Sequence, residues 1–253
     1  MDIDLPAILL WVVLILGAVW LLDKLFFEKN RLSQNEEAID PKPVEYAKAF
    51  FPVLLLVLVI RSFIGEPYQI PSESMVPTLK VGDFIWVNKY SYGLRLPYFG
   101  NKILDTGEPK RGDVMVFVPP HDPRFFVKRV IGIPGDLVRY ENKSLYINGE
   151  RLKYKFVKES RGSFSKVVIR EYLESIEGKD HSILRMNVME GPRSWSLSDG
   201  EYLMLGDNRD NSQDSRFWGA AKEEKIVGKA IAVWMHKDPG FHFPTVMQNR
   251  WIK

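Results

Sequence analysis

A chain of 253 residues that is 45% hydrophobic can bury a real core, so it is not disordered, and its length fits one large or two modest domains. A formal charge of only +3, with cations and anions well mixed and no basic stripe interleaved with aromatics, excludes a nucleic-acid groove. Having no cysteine excludes a thiol nucleophile, thiolate metal ligands and disulfides, and the four scattered histidines (His121, His181, His236, His242) form no HExxH-type pair, which argues against a metal site.

From the N-terminus, Leu5 to Leu22 is an uncharged run of 18 residues, long enough at about 1.5 Å per residue to cross the hydrocarbon layer. It opens after MDID and closes on DKLFFEKNR, unlike a cleaved leader, so a retained span is expected. A second apolar run, Ala49 to Ile64, predicts another span over about 46–64, with Arg61 snorkelling to the interface. Lys24, Lys29, Arg31, Lys42 and Lys48 lie between the two, whereas no Lys or Arg precedes the first. The linker 23–45 is therefore expected in the cytoplasm, polar and mobile, with everything from 65 to 253 facing outward.

Beyond Ile64 the texture is short alternating runs separated by turns, which predicts a mainly β, largely antiparallel domain. Expected strands are Phe84 to Tyr90, Val114 to Val118, Phe125 to Ile133, Leu137 to Ile147, Lys166 to Ile169, Tyr202 to Leu205 and Ile226 to Trp234. Pro134-Gly135-Asp136, Asn148-Gly149 and Asp199-Gly200 are turn signals. The Ser-rich, charged stretch at about 150–200 reads as an inserted β-rich subdomain, with one short helix expected near Arg170 to Ile176.

Candidate chemistry also runs in chain order. Gln69 to Asp83 (QIPSESMVPTLKVGD) holds Ser72 and Ser74 between prolines, a composition that equally makes an ordinary loop. Arg111-Gly112-Asp113 fronts a strand and reads as a turn. In FFVKRVIGI, period two puts Lys128 on one face with Phe126 and Val130, and Arg129 on the other with Val127 and Ile131. One of these cations is thus expected to be buried, and a desolvated lysine gives up its proton readily enough to activate a serine, although an edge-strand lysine would look the same. Ser163 to Lys166 fits S-x-x-K but lies in a Gly/Ser-rich loop rather than on a helix. Gly206 to Gly219 (GDNRDNSQDSRFWG) approaches a calcium loop through Asp207, Asn208, Asp210 and Asn211, but lacks its sixth-place Gly and twelfth-place Glu; a hydrogen-bonded scaffold accounts for it better.

Taken together, PSESMVPTL, GDFIWVNKYSYG, RGDVMVF, KRVIGIPGD and GDNRDNSQDSRFWG, in that order after membrane spans, resemble the successive boxes of bacterial type I signal peptidases over about Glu66 to Gly219. The resemblance implies a membrane-bound serine endopeptidase that removes signal peptides from secretory preproteins, cutting after small residues at −1 and −3 and needing no cofactor. It implies Ser74 as nucleophile, Lys128 as general base, Ser72 with the Ser74 N–H as oxyanion donors, and Ser212 orienting the lysine. Asp214 and Arg216 would form a supporting ion pair, and Tyr68, Ile70 and Val127 would line the substrate pockets. Two spans plus the insert look like the Gram-negative form, placing the protein in the inner membrane with its catalytic domain on the periplasmic side. Some relatives have Gly where Glu73 stands, so a positive φ cannot be required there and Glu73 should point to solvent. Self-cleaving repressors share a Ser-Lys arrangement but carry a helix-turn-helix in place of spans; a non-enzymatic anchored β module would leave five ordered motifs to coincidence.

Overall fold

The computed structural model describes residues 5–34, 39–95, 102–161 and 167–252. The chain divides into two compact units, one of residues 1–65 and 94–105, the other of residues 66–93 and 106–253.

In the first unit, helices Leu5–Leu22 and Lys42–Val59 pack against each other, with Trp20 and Phe51 ring centroids 5.4 Å apart. A Cβ on Gly17 would come within 2.7 Å of the Phe51 ring, so the missing side chain lets the two helices close. Two segments, Ala7–Ser33 and Lys42–Ile64, are long and apolar enough to span a membrane, and only 11% and 6% of their apolar windows are buried. A core helix of a water-soluble domain would be mostly buried, whereas here Trp11, Leu14, Val53 and Leu56 are all more than half exposed, a surface that matches lipid.

The helices outrun the apolar stretches. The first continues through Asp23–Phe27 and Glu28–Gln34, and the second starts at Lys42, a turn earlier than its hydropathy indicated, with Pro43 in its first turn. Hydropathy marks the bilayer, not the helix, so polar helical turns within 23–45 were invisible to it. Arg31 donates to Asp23 at 2.6 Å and to Asp40 at 2.7 Å, and Lys48 to Asp40 at 2.8 Å and to Glu28 at 3.1 Å, tying the polar ends together.

The second unit is built from antiparallel sheets. The largest runs in the order Gly65–Gln69, Asp83–Asn88, Ile226–His236, Val114–Phe117, Phe126–Gly132, Glu201–Leu205, Ala221–Lys222, with Arg250–Trp251 also on Ile226–His236. The long Ile226–His236 strand pairs Lys229 to His236 with Asp83–Asn88 and its first residues with Val114–Phe117. Period-two alternation splits the apolar side chains between two faces. Val114 and Val116 join Ile70, Met75 and Leu79, whereas Met115 and Phe117 join Val130, Tyr202 and Met204.

Three sequence expectations are corrected. Leu137 to Ile147 is not one strand: Asn142 and Lys143 take φ of 48° and 59°, turning it into a hairpin of Leu137–Glu141 and Ser144–Ile147. Arg170 to Ile176 is not helical but part of strand Val168–Ile176, paired along its length with both Lys153–Arg161 and Lys179–Met186. A central strand satisfies its backbone on both edges, and that tertiary pairing overrides local helix preference. Finally, not one but both of the paired cations are buried, Lys128 at 3% and Arg129 at 1% exposure, because side chains of this strand pack into clusters on both of its faces.

The expected Asn148-Gly149 turn forms, with φ of 51° and 86°. Strand Arg193–Ser196 pairs with Leu137–Glu141, so stretch 150–200 is shared between a three-stranded sheet and this four-stranded one. Ser163 and Lys166 lie outside the described residues.

Candidate active site

The segment carrying the serines is pinned at its base. Ile70 N–H donates to Asp83 O at 2.8 Å and Gly82 N–H to Ile70 O at 2.9 Å, while Met75 and Leu79 are buried in the core beneath. Ser72 stays extended at φ −131° and ψ 160°, and Glu73–Met75 then makes one tight turn. That turn tips Ser74 inward to 9% exposure and leaves Ser72 and Glu73 exposed, with the two serine Oγ atoms 3.3 Å apart. Glu73 points outward as expected, its carboxylate accepting from Asn211 Nδ2 at 3.2 Å.

Lys128 comes from the Phe126–Gly132 strand, the neighbour of Val114–Phe117, and its Nζ donates to Ser74 Oγ at 2.6 Å and to Val127 O at 3.1 Å. It also lies 5.4 Å from the centroid of the Phe126 ring. Burial pushes its pKa down from 10.5 to about 8; Asp214 and Asp207 pull the other way, but desolvation outweighs both. An amine poised there is largely able to accept a proton at mildly alkaline pH while touching a serine hydroxyl.

Around this pair the Gly206 to Gly219 segment forms the scaffold anticipated for it. Asn208 N–H donates to Ser74 O at 3.0 Å and Asn208 Nδ2 to Glu73 O at 3.2 Å, so the backbone of the serine turn is held from this side. Asp214 accepts from Arg216 at 2.8 and 2.9 Å and from Gly206 N–H at 3.0 Å. Ser212 sits against Gly206, where an added Cβ would lie 2.2 Å from its Oγ. That Oγ is buried and has no hydrogen-bond partner among the described residues, so Ser212 comes close to the Ser74 backbone without bonding to Lys128.

Tyr68, Ile70 and Val127 fall in one apolar cluster, Ile70 at 3% exposure with the other two packed on it. Exposed Phe125 meets the Tyr68 ring edge-on at 5.4 Å and was not anticipated. A second omission is the buried pair beneath the site. Arg129 donates to both oxygens of Asp207 at 2.9 and 2.7 Å, and Thr78 Oγ1 to the same carboxylate at 2.5 Å. Burial pushes the Asp207 pKa up, yet Arg129 and Thr78 more than compensate, and the carboxylate stays ionised. The signal available was Arg129 itself, opposite Lys128 on a strand with two inward faces.

A profile of the family described as signal peptidase, peptidase S26, matches residues 43–235. Signal peptidase I of Pseudomonas aeruginosa is 43% identical, covering 93% of this chain and 93% of its own length, and that of Pseudomonas fluorescens is 43% identical with the same coverage. A crystal structure of signal peptidase I from Enterococcus faecalis is 28% identical over 48% of this chain and 96% of its own, with a TM-score of 0.31.

Proposed function

The chain belongs to the signal peptidase family, peptidase S26, and is therefore a peptidase; from that premise we propose that it removes signal peptides from exported preproteins with Ser74 as nucleophile and Lys128 as general base. The observation that carries this reading is the 2.6 Å approach of Ser74 Oγ to an amine that is 3% exposed and lowered to about 8. Neutral Lys128 takes the hydroxyl proton as Oγ attacks the peptide carbonyl, and the resulting ammonium returns a proton to the departing amine. Ser72 Oγ and the Ser74 N–H stabilise the oxyanion, and a water deprotonated by Lys128 then hydrolyses the acyl-enzyme. The resemblance gives Ser212 the role of orienting the amine; its Oγ is buried and free of other partners among the described residues, so it would have to turn toward Lys128 to do so. Asp214 and Arg216 brace the segment behind it.

Tyr68 and Val127 pack against the apolar cluster that holds Ile70, and pockets lined by these three would accommodate only small side chains one and three residues before the cut. With purified full-length protein in detergent, a preprotein with Ala at both places is expected to be cleaved, and a Leu immediately before the scissile bond to slow cleavage by roughly 100-fold or more. Ser74→Ala is expected to cleave neither. Efficient cutting beside Leu, or turnover by Ser74→Ala, overturns the reading.

The apolar helices make this a membrane-anchored protein, and the five cations between the two apolar runs lead us to place the linker in the cytoplasm and residues 65–253 on the periplasmic side of the inner membrane. Protease added to spheroplasts is expected to digest the domain after Ile64 and to spare the Lys24 to Lys48 linker. Protection of that domain until the membrane is broken reverses the orientation.

A further inference from the structure

Three strands, Lys153–Arg161, Val168–Ile176 and Lys179–Met186, form the insert, and none of their residues takes part in the chemistry above. Yet they reach the segment that holds Ser74. Leu184 N–H donates to Asp207 O at 2.8 Å, and Arg209 N–H to Leu184 O at 3.0 Å, a parallel bridge centred on Asn208. The residues on either side of Asn208 thus bond to the insert, while Asn208 itself bonds to the carbonyls of Ser74 and Glu73. Backbone that moves with the insert must carry Ser74 with it.

One ion pair runs beside that bridge. Glu174, fully buried in the central insert strand, accepts from both Nη atoms of Arg209, one at 2.7 Å, and has His181 Nε2 3.1 Å away. Arg209 in turn donates through Nε to Gly206 O at 3.2 Å, and Gly206 is the residue packed against Ser74 O and Ser212. A buried pair of this kind is a poor device for stability, because an apolar pair of equal volume serves as well; its best-attested use is to fix register.

We propose that the insert positions the nucleophile, with Glu174 as the positioning residue acting through Arg209 on the Gly206-to-Arg209 backbone. This rests on Ser74 being the nucleophile. Tyr68, Ile70 and Val127 belong to a different cluster from the insert's Ile176, so displacement of the insert would act on the Ser74–Lys128 approach more than on substrate binding.

Steady-state cleavage of an Ala-containing preprotein by full-length variants in detergent tests this, with melting followed in parallel. Glu174→Gln is expected to lower kcat by roughly 10- to 100-fold with KM within about twofold, the scale of a misplacement near 1 Å. The double variant Glu174→Leu/Arg209→Met removes both charges and is expected to melt at or above the wild-type temperature while kcat stays as low as in Glu174→Gln. Wild-type kcat in a folded Glu174→Gln protein overturns the proposal, and so does a double variant whose kcat recovers along with its melting temperature. Should Glu174→Gln fail to fold, the double variant decides by itself. Turnover by Ser74→Ala would remove the premise as well, whereas an inactive Ser74→Ala beside a fully active Glu174→Gln sinks this inference alone.

Discussion

Lys128→Arg is expected to abolish cleavage, by about 10⁴-fold or more, because a guanidinium effectively never surrenders its proton and so cannot accept that of Ser74. Lys128→Met should be equally inactive, for want of any base. In the wild type, the rate should climb from neutral to mildly alkaline pH through one ionisation near 8, where burial has brought the amine. Stability should rise with pH in the window above that. The unfolded lysine keeps its proton up to about 10.5, so between 8 and 10.5 the unfolded state binds more protons than the folded one. Below pH 8 the buried amine destabilises the fold by about 3 kcal/mol at most. Lys128→Met, an apolar replacement of similar length, removes that penalty, so its melting temperature at neutral pH should be no lower than wild type. Turnover by Lys128→Arg, or a flat rate from pH 6 to 10, would rule out a lysine base.

Gly206→Ala is expected to be nearly as damaging, by a different route. The new Cβ would stand 2.5 Å from Ser74 O and 2.2 Å from Ser212 Oγ, both inside van der Waals contact. The serine side chain can rotate away. The Ser74 carbonyl cannot, because it is held by Asn208 N–H at 3.0 Å, within the same segment that carries the methyl. Overpacking of this kind costs about 1–3 kcal/mol of stability, and displacing the nucleophile by a fraction of an ångström should lower kcat by roughly 100-fold. Gly191→Ala, where a Cβ meets nothing within 4 Å, is the control and should be silent in both measurements. Wild-type kcat in Gly206→Ala would mean that the Ser74 backbone is not confined as described.

The parts of the fold that were legible in the sequence are those in which one local signal dominates. Eighteen uncharged residues are long enough to cross a bilayer, Asn148-Gly149 supplies the positive φ values of its turn, and Val114 to Phe117 is apolar on both faces because both are covered. Legibility failed where two local signals competed. Leu137 to Ile147 has strand residues at both ends, and the positive φ at Asn142 and Lys143 splits it; Asn142 is a turn former, but Lys is not a residue that announces such a turn. Val168–Ile176 contains good helix formers, and its strand conformation comes from neighbours on both sides, one of them the parallel bridge partner's own strand, Lys179–Met186.

For the site, the sequence by itself supplied candidates: the resemblance carried by its ordered motifs implies Ser72, Ser74, Lys128, Ser212, Asp214 and Arg216. It also placed Lys128 and Arg129 within an apolar strand and so expected one of the two to be buried; the folded chain buries both. Tertiary structure alone decided how those residues meet. The pairing of buried Arg129 with Asp207 under the serine turn joins residues 78 positions apart, and that of Glu174 with Arg209 joins residues 35 apart. Period and propensity act over a few residues, whereas a buried charge is tolerated only where the folded chain delivers its partner, and that partner's identity is fixed by packing rather than by any neighbour in sequence.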